Sequence, residues 1–177
     1  MSHFGFINND ALQKNLEVAF DHILTLIPLS ESNNYSDLEK SSFRKTIIIY
    51  TASIIEALLF HQICTKCLKD DLKKYSWVLE NIKELYLVDK THKIIAGDYF
   101  YKFEPLKLDK INLGIINDLL HDNKYIDKNL FDKVNKVRIL RNDQHFGTHL
   151  VIKEYSKDDL EFVFSVAKDV KSFVKGL

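Results

Sequence analysis

The first clear hydrophobic pattern lies in "DALQKNLEVAFDHILTLIPL", where Leu12, Leu16, Ala19, Phe20, Ile23, Leu24 and Ile27 recur at three- and four-residue intervals. That spacing places them on one face of a helix. Asp10 is its expected N-cap and Pro28 its expected terminator. "SESNNYSD" then reads as a polar connection. A long segment follows from about Asp37 to Leu72, and its middle, Ile47 to Phe60, is apolar nearly all round. A helix of that kind sits at the centre of a bundle. The β-branched run Ile47, Ile48, Ile49 also permits a strand, but the length and the flanks favour helix.

"SWVLENIKELYLVDK" predicts a third helix with Trp77, Ile82, Leu85 and Tyr86 turned inward. The pattern changes at "HKIIAGDYFYKFEPLKL", where Gly97-Asp98, a run of aromatics and Pro105 predict a short hairpin or irregular excursion. "INLGIINDLLHDN" predicts a short helix. Asp127 is the expected cap of another helix from Lys128 to about Phe146, ending near Gly147. The last helix lies in "SKDDLEFVFSVAKDVKSFVKGL", with Ser156 as cap and Asp159 completing a capping box. The expected fold class is all-α: an antiparallel, up-and-down helical bundle in one domain over residues 1–177, with a β-hairpin-like insertion around residues 93–108.

Composition supports helices. Only five glycines and two prolines occur in 177 residues, too few for a sandwich with many tight turns. A chain of this size buries roughly 70% of its unfolded surface, enough for a substantial core. The formal net charge is zero, so a broadly basic nucleic-acid surface is not indicated, although a local basic pocket is allowed. The start, "MSHFGFINND", lacks a basic region followed by an apolar core, so no secretory signal is expected. The most apolar run, "TIIIYTASIIEALLF", is interrupted by Glu56 and is too short to span a bilayer, so no membrane association is expected. A reducing, cytoplasmic setting is the resulting expectation.

Three features carry candidate chemistry. "HQICTKC" offers His61, Cys64 and Cys67, but steps of three drift around a helix and no fourth ligand lies nearby, so no metal site is assigned and the cysteines are expected to be structural. Glu56 lies inside "ASIIEALLF", where an unpaired carboxylate is costly. It either faces a solvated groove or nearby lysine, or pairs with an arginine across the bundle and orients it.

The third feature is "VNKVRILRNDQHFGTHL". At 100° per residue, Phe131, Val134 and Val137 form a core stripe, and the same stripe continues to Arg138, Arg141, Asn142 and His145 within roughly a 100° wedge. Arginine and histidine at a helix C-terminus suit the macrodipole. That accounts for the sign of the charge but not for the arrangement. Histidine can move a proton near neutral pH, arginine can stabilise a phosphate whose charge grows in the transition state, and asparagine can orient a base or hydroxyl. With RNA the 2′-OH is an internal nucleophile and no metal is needed. One histidine cannot readily serve both ends of the scissile bond, whereas a two-fold dimer supplies two.

"LRNDQHFG", preceded by "KVNKVRI" and late in a helical chain, resembles the HEPN superfamily, whose broad motif is R-x4–6-H. The early apolar "IIIYTASIIEALLF" helix and the "INLGIINDLL…DKNLFDKVNKVR" pair are similar to members ending in Arg-Asn-x-x-His. The resemblance implies a helical bundle, a homodimer with facing motifs, RNA as substrate, and metal-independent endoribonuclease activity without a cofactor. It also implies a toxin–antitoxin or phage-defence setting, with an antitoxin or other protein as partner. His145 would be catalytic, Asn142 supporting, and Glu56 an orienting residue. The arginine is either Arg138, separated from His145 by six residues but followed by Ile139, or Arg141, followed by Asn142 but separated from His145 by only three residues. His149 lies beyond Gly147 and outside the motif. The same resemblance covers catalytically inactive homodimers that bind RNA, a nucleotide or a protein. Tyr99, Phe100, Tyr101 and Phe103 either stack on bases or pack a core.

Overall fold

The computed structural model describes residues 2–66, 73–105, 111–143 and 153–176. These form five α-helices and one two-stranded antiparallel sheet, a largely helical fold. The chain divides into two compact units. One comprises Met1–Lys66 with Asn112–Leu177, the other Cys67–Ile111.

The first unit is helical. α1 (Asp10–Glu31) is capped by Asn9, whose side chain accepts the Leu12 N–H at 3.0 Å; Asp10, the residue expected as the cap, is the first helical residue instead. Pro28 does not end the helix. It stands in the last turn, where its missing N–H forfeits one helical bond, and the chain runs on to Glu31 before the Ser32 N–H closes on Leu29 O. α2 (Asp37–Lys66) contacts α1, α3 (Leu113–Asp122), α4 (Lys128–Asn142) and α5 (Lys157–Lys175). Its buried positions include Ile47, Ile48, Ala52, Ile55, Leu59 and Ile63. Together with their neighbours they cover roughly half the helix circumference at 100° per residue. The other half is only partly covered: Tyr50, Ala57, Phe60 and His61 are half-buried and Ile49 is 37% exposed, so the all-round apolar pattern does not become all-round burial.

α2 covers residues 37–66 of the expected Asp37–Leu72 segment, and positions 67–72 lie outside the described residues. At 30 residues it is the one helix among the described residues long and apolar enough, by length and composition, to cross a membrane, and 56% of its most apolar window is buried against the rest of the protein. The remaining helices contribute Leu16 and Ile23 of α1, Leu113, Ile116 and Leu120 of α3, Val134 and Val137 of α4, and a Leu160, Val163, Val166, Val170 stripe of α5. α5 begins with the expected capping box. Ser156 Oγ accepts the Asp159 N–H, and the Asp159 carboxylate accepts the Ser156 N–H at 2.9 Å. α4 starts at the expected cap, Asp127, but stops at Asn142, short of Gly147. Asn142 and Asp143 are poor helix formers, because short polar side chains compete for backbone groups, and the Asp143 N–H closes the helix on Ile139 O at 2.9 Å.

Polar links fix how the helices meet. Arg44 of α2 donates to Ser30 O near the end of α1 and to Tyr155 O just before α5, both at 3.2 Å. Ser41 Oγ accepts the Tyr155 N–H at 2.8 Å.

The second unit overturns one expectation. Residues 76–90 were expected as a helix, but β1 (Lys73–Leu87) pairs antiparallel with β2 (Lys93–Pro105). The hairpin therefore begins some twenty residues earlier than the expected 93–108 insertion, and positions 106–108 lie outside the described residues. Trp77, Ile82, Leu85 and Tyr86 do not turn inward; each is more than half exposed. Their helical spacing was overridden by cross-strand pairing, in which Trp77 faces Tyr101, Val78 faces Phe100 and Leu79 faces Tyr99. A β-bulge follows Glu80, where Asn81 adopts φ +53° and its amide donates to Asp98 at 2.7 Å. Gly97 is required beside it: a Cβ there would sit 2.7 Å from Glu80 O. The turn is closed by Asp89, whose carboxylate accepts the Thr91 and His92 N–H groups at 2.7 and 2.8 Å.

Two outcomes follow. Arg44→Ala should cost about 2 kcal/mol, because it removes two hydrogen bonds from a charged donor; the check is the urea midpoint, with Arg44→Lys recovering only part. Trp77 is the single tryptophan and is 57% exposed. Its emission should be that of a solvated indole and be quenched by iodide in the folded protein.

Candidate functional site

The candidate site is the C-terminal end of α4. α4 buries Val134, Val137 and Leu140. The expected stripe therefore continues through Leu140 rather than through Arg138 and Asn142. Phe131 is only half-buried, and its carbonyl accepts the side-chain amide of buried Asn117 at 2.9 Å, tying α3 to α4.

Arg141 stands beside this stripe, and its Nη1 makes an ion pair with Glu56 Oε2 of α2. The side chains are 24% and 27% exposed, so the pair is partly withdrawn from water. Of the two readings open for Glu56, the structure takes the arginine partner. The pair explains how a carboxylate is held within an apolar helix: Glu56 lies at the margin of the buried arc of α2, where Arg141 reaches it.

Arg138 is placed differently. Its Nε donates to Asn135 Oδ1 at 2.9 Å, one turn back on the same helix. Its stem lies against the first turn of α3, where a Cβ on Gly114 would fall 3.3 Å from Arg138 Cδ. Glycine there gives the side chain its room. Among the described residues Arg138 has no carboxylate partner, and it is half-buried. Asn142, the last helical residue, is exposed. Beyond it, Asp143 makes an ion pair with Lys153, which sits 5.6 Å from the Tyr155 ring. Spacing along the sequence gave no signal for this pairing, because it joins residues on either side of an intervening segment. His145 and His149 lie outside the described residues, as does Cys67.

The other candidates are also located. Cys64 is exposed near the end of α2, not a core residue. Among the described residues no three His, Cys, Asp or Glu side chains gather as a metal-ligand set. In the hairpin, Tyr99 stacks on Trp77 at 4.9 Å and Tyr101 lies 5.3 Å from it. Strand alternation places Phe100 on the opposite face, under Lys102 at 5.0 Å. Trp77, Tyr99 and Tyr101 are each about 60% exposed and Phe100 42%, so none is core packing; Phe103 is described only by its backbone pairing with Tyr75.

Comparison with protein-family models, curated proteins and solved structures gives no match.

The Glu56–Arg141 pair is open to measurement. In a double-mutant cycle with Glu56→Gln and Arg141→Met, the coupling should be about 1 kcal/mol, the upper end for partly exposed pairs, and should shrink as salt is raised. A coupling near zero would mean that the two side chains do not hold α2 and α4 together.

Proposed function

We propose that the chain is a HEPN-like, metal-independent endoribonuclease whose helical unit forms an antiparallel bundle and works as a cytoplasmic homodimer with facing motifs. A toxin or phage-defence role, with a protein antitoxin as partner, fits this reading. The observation that carries it is the unequal treatment of the two arginines. Glu56 neutralises Arg141, whereas Arg138, near the same end of α4, has no carboxylate partner among the described residues. An uncompensated guanidinium is suited to an anionic group, and its forked donors match a phosphate.

In this reading Arg138 contacts the scissile phosphate and Arg141 is a positioning residue held by Glu56. His145, two residues along the chain from Asp143, removes the proton of the ribose 2′-OH as its oxygen attacks phosphorus. The bond from phosphorus to the 5′-oxygen breaks, and that oxygen takes a proton from His145 of the partner subunit. The products are a 2′,3′-cyclic phosphate and a free 5′-hydroxyl. Arg138 stabilises the charge that builds on the phosphoryl oxygens, and Asn142 supports through its exposed amide. The Arg138–His145 interval also agrees with the broad R-x4–6-H motif.

A second reading, a non-catalytic module that binds RNA, a nucleotide or a protein, draws support from the exposed Trp77, Tyr99 and Tyr101 cluster. Incubation with total RNA in EDTA separates the two. The wild type should cleave and leave 2′,3′-cyclic ends. His145→Ala and Arg138→Ala should each lose about a hundredfold or more in rate while staying folded. Arg141→Ala should lower Tm together with rate. Absence of cleavage by the wild type, or equal cleavage by His145→Ala, would sink the catalytic reading. A strictly monomeric protein would remove the facing-motif mechanism.

A further inference from the structure

A separate feature of the helical unit is a cleft of about 370 Å³ bordered by α1, α2, α5 and the N-terminal segment. Its floor includes Ile23, Thr51, Ile54 and Leu58, none more than 5% exposed, and its rim the exposed Leu24 and Lys168, so the cleft is a half-open groove on the core. The volume lies within the range of small-molecule sites and well above that of a single water.

The lining is apolar apart from three residues. Thr51 directs its hydroxyl to Ile47 O at 2.8 Å, so it offers no free donor. The other two are Lys168 and Lys171 of α5, neither of which has an ion-pair partner among the described residues. No carboxylate lines the cleft. Glu17 is the acidic group that acts on Lys171, but its Oε1 accepts from Ser2 Oγ at 2.6 Å and from the Phe4 N–H at 2.9 Å. The Lys171 ammonium lies 5.1 Å from the ring of Phe4, which also lines the cleft. Burial, then the nearby Lys175 charge, push its amine below the ordinary lysine value, with Glu17 opposing. A bound anion would relieve both effects.

We infer that this cleft binds a single-chain aliphatic carboxylate, with the chain against Ile54, Leu58 and Phe164 and the carboxylate at Lys171 and Lys168. Lysine presents a compact point charge to such a headgroup. Two lysines beside an otherwise apolar lining favour an amphiphile with an anionic head.

The test is calorimetric titration of the full chain with decanoate below its micelle concentration, beside 1-decanol and decyltrimethylammonium. Decanoate should bind one to one and raise Tm, decanol should bind at least tenfold more weakly, and the cation should not bind. Lys171→Met should erase the preference for decanoate and leave decanol affinity unchanged. Ala167→Trp, which fills the cleft from α5, should abolish both with the far-UV circular dichroism retained; if that variant fails to fold, Leu24→Trp at the half-exposed mouth serves the same purpose. Decanol binding as tightly as decanoate, decanoate binding undiminished by either tryptophan, or no binding at all would overturn the assignment. So would sedimentation with phosphatidylglycerol vesicles that decanoate fails to compete, which would point to a membrane surface instead.

Discussion

The apolar half of α2 must be covered, and the helical unit is the set of segments that cover it. Burial of this kind is strong but has no direction. A Leu or Ile face can be matched by several helix orientations at similar cost. Direction comes from the few polar groups that reach out of α2. Arg44 holds the end of α1 and the approach to α5 through two carbonyls, and Ser41 holds the same approach through the Tyr155 N–H. Glu56 holds α4 through Arg141. The core thus supplies the free energy, and these links restrict which arrangement uses it.

The hairpin is built on a different balance. Among the described residues its side chains on both faces are largely exposed. Cross-strand contacts do the organising: the Trp77, Tyr99 and Tyr101 cluster on one face, and the Glu80–Lys102 ion pair with Lys102 over Phe100 on the other. Two-stranded ribbons are marginal by themselves in water. The bulge at Asn81, the close approach at Gly97 and the Asp89 turn fix register where the hydrophobic pattern, apolar on both faces, leaves it weakly specified.

Zero net charge conceals an uneven distribution. Many cations in the protein have a partner, as Arg141, Lys153, Lys93 and Lys102 do. Arg138 and Lys171 have no ion-pair partner among the described residues, and each is half-buried beside another helix or an apolar wall. A charge that is neither paired nor fully hydrated has more to gain from an anionic ligand than a solvated one. This links the two proposals physically while leaving them independent: one concerns the end of α4, the other the cleft lined by α1, α2 and α5.

The sequence by itself determined the helices whose stripes were long and bounded by good caps. α5 with its Ser156–Asp159 box, α3, and the start of α4 at Asp127 were all readable, because caps and three-four spacing act within a few residues. It also identified Glu56 as a carboxylate in need of a partner. Tertiary structure decided what depended on distant residues. It made residues 73–87 a strand, since "SWVLENIKELYL" carries apolar residues at both periods and only pairing with 93–105 selects one. It also chose Arg141 over Arg138 as the partner of Glu56. Both arginines lie near the buried face of the same helix, and only the placement of α2 and of Gly114 in α3 distinguishes them.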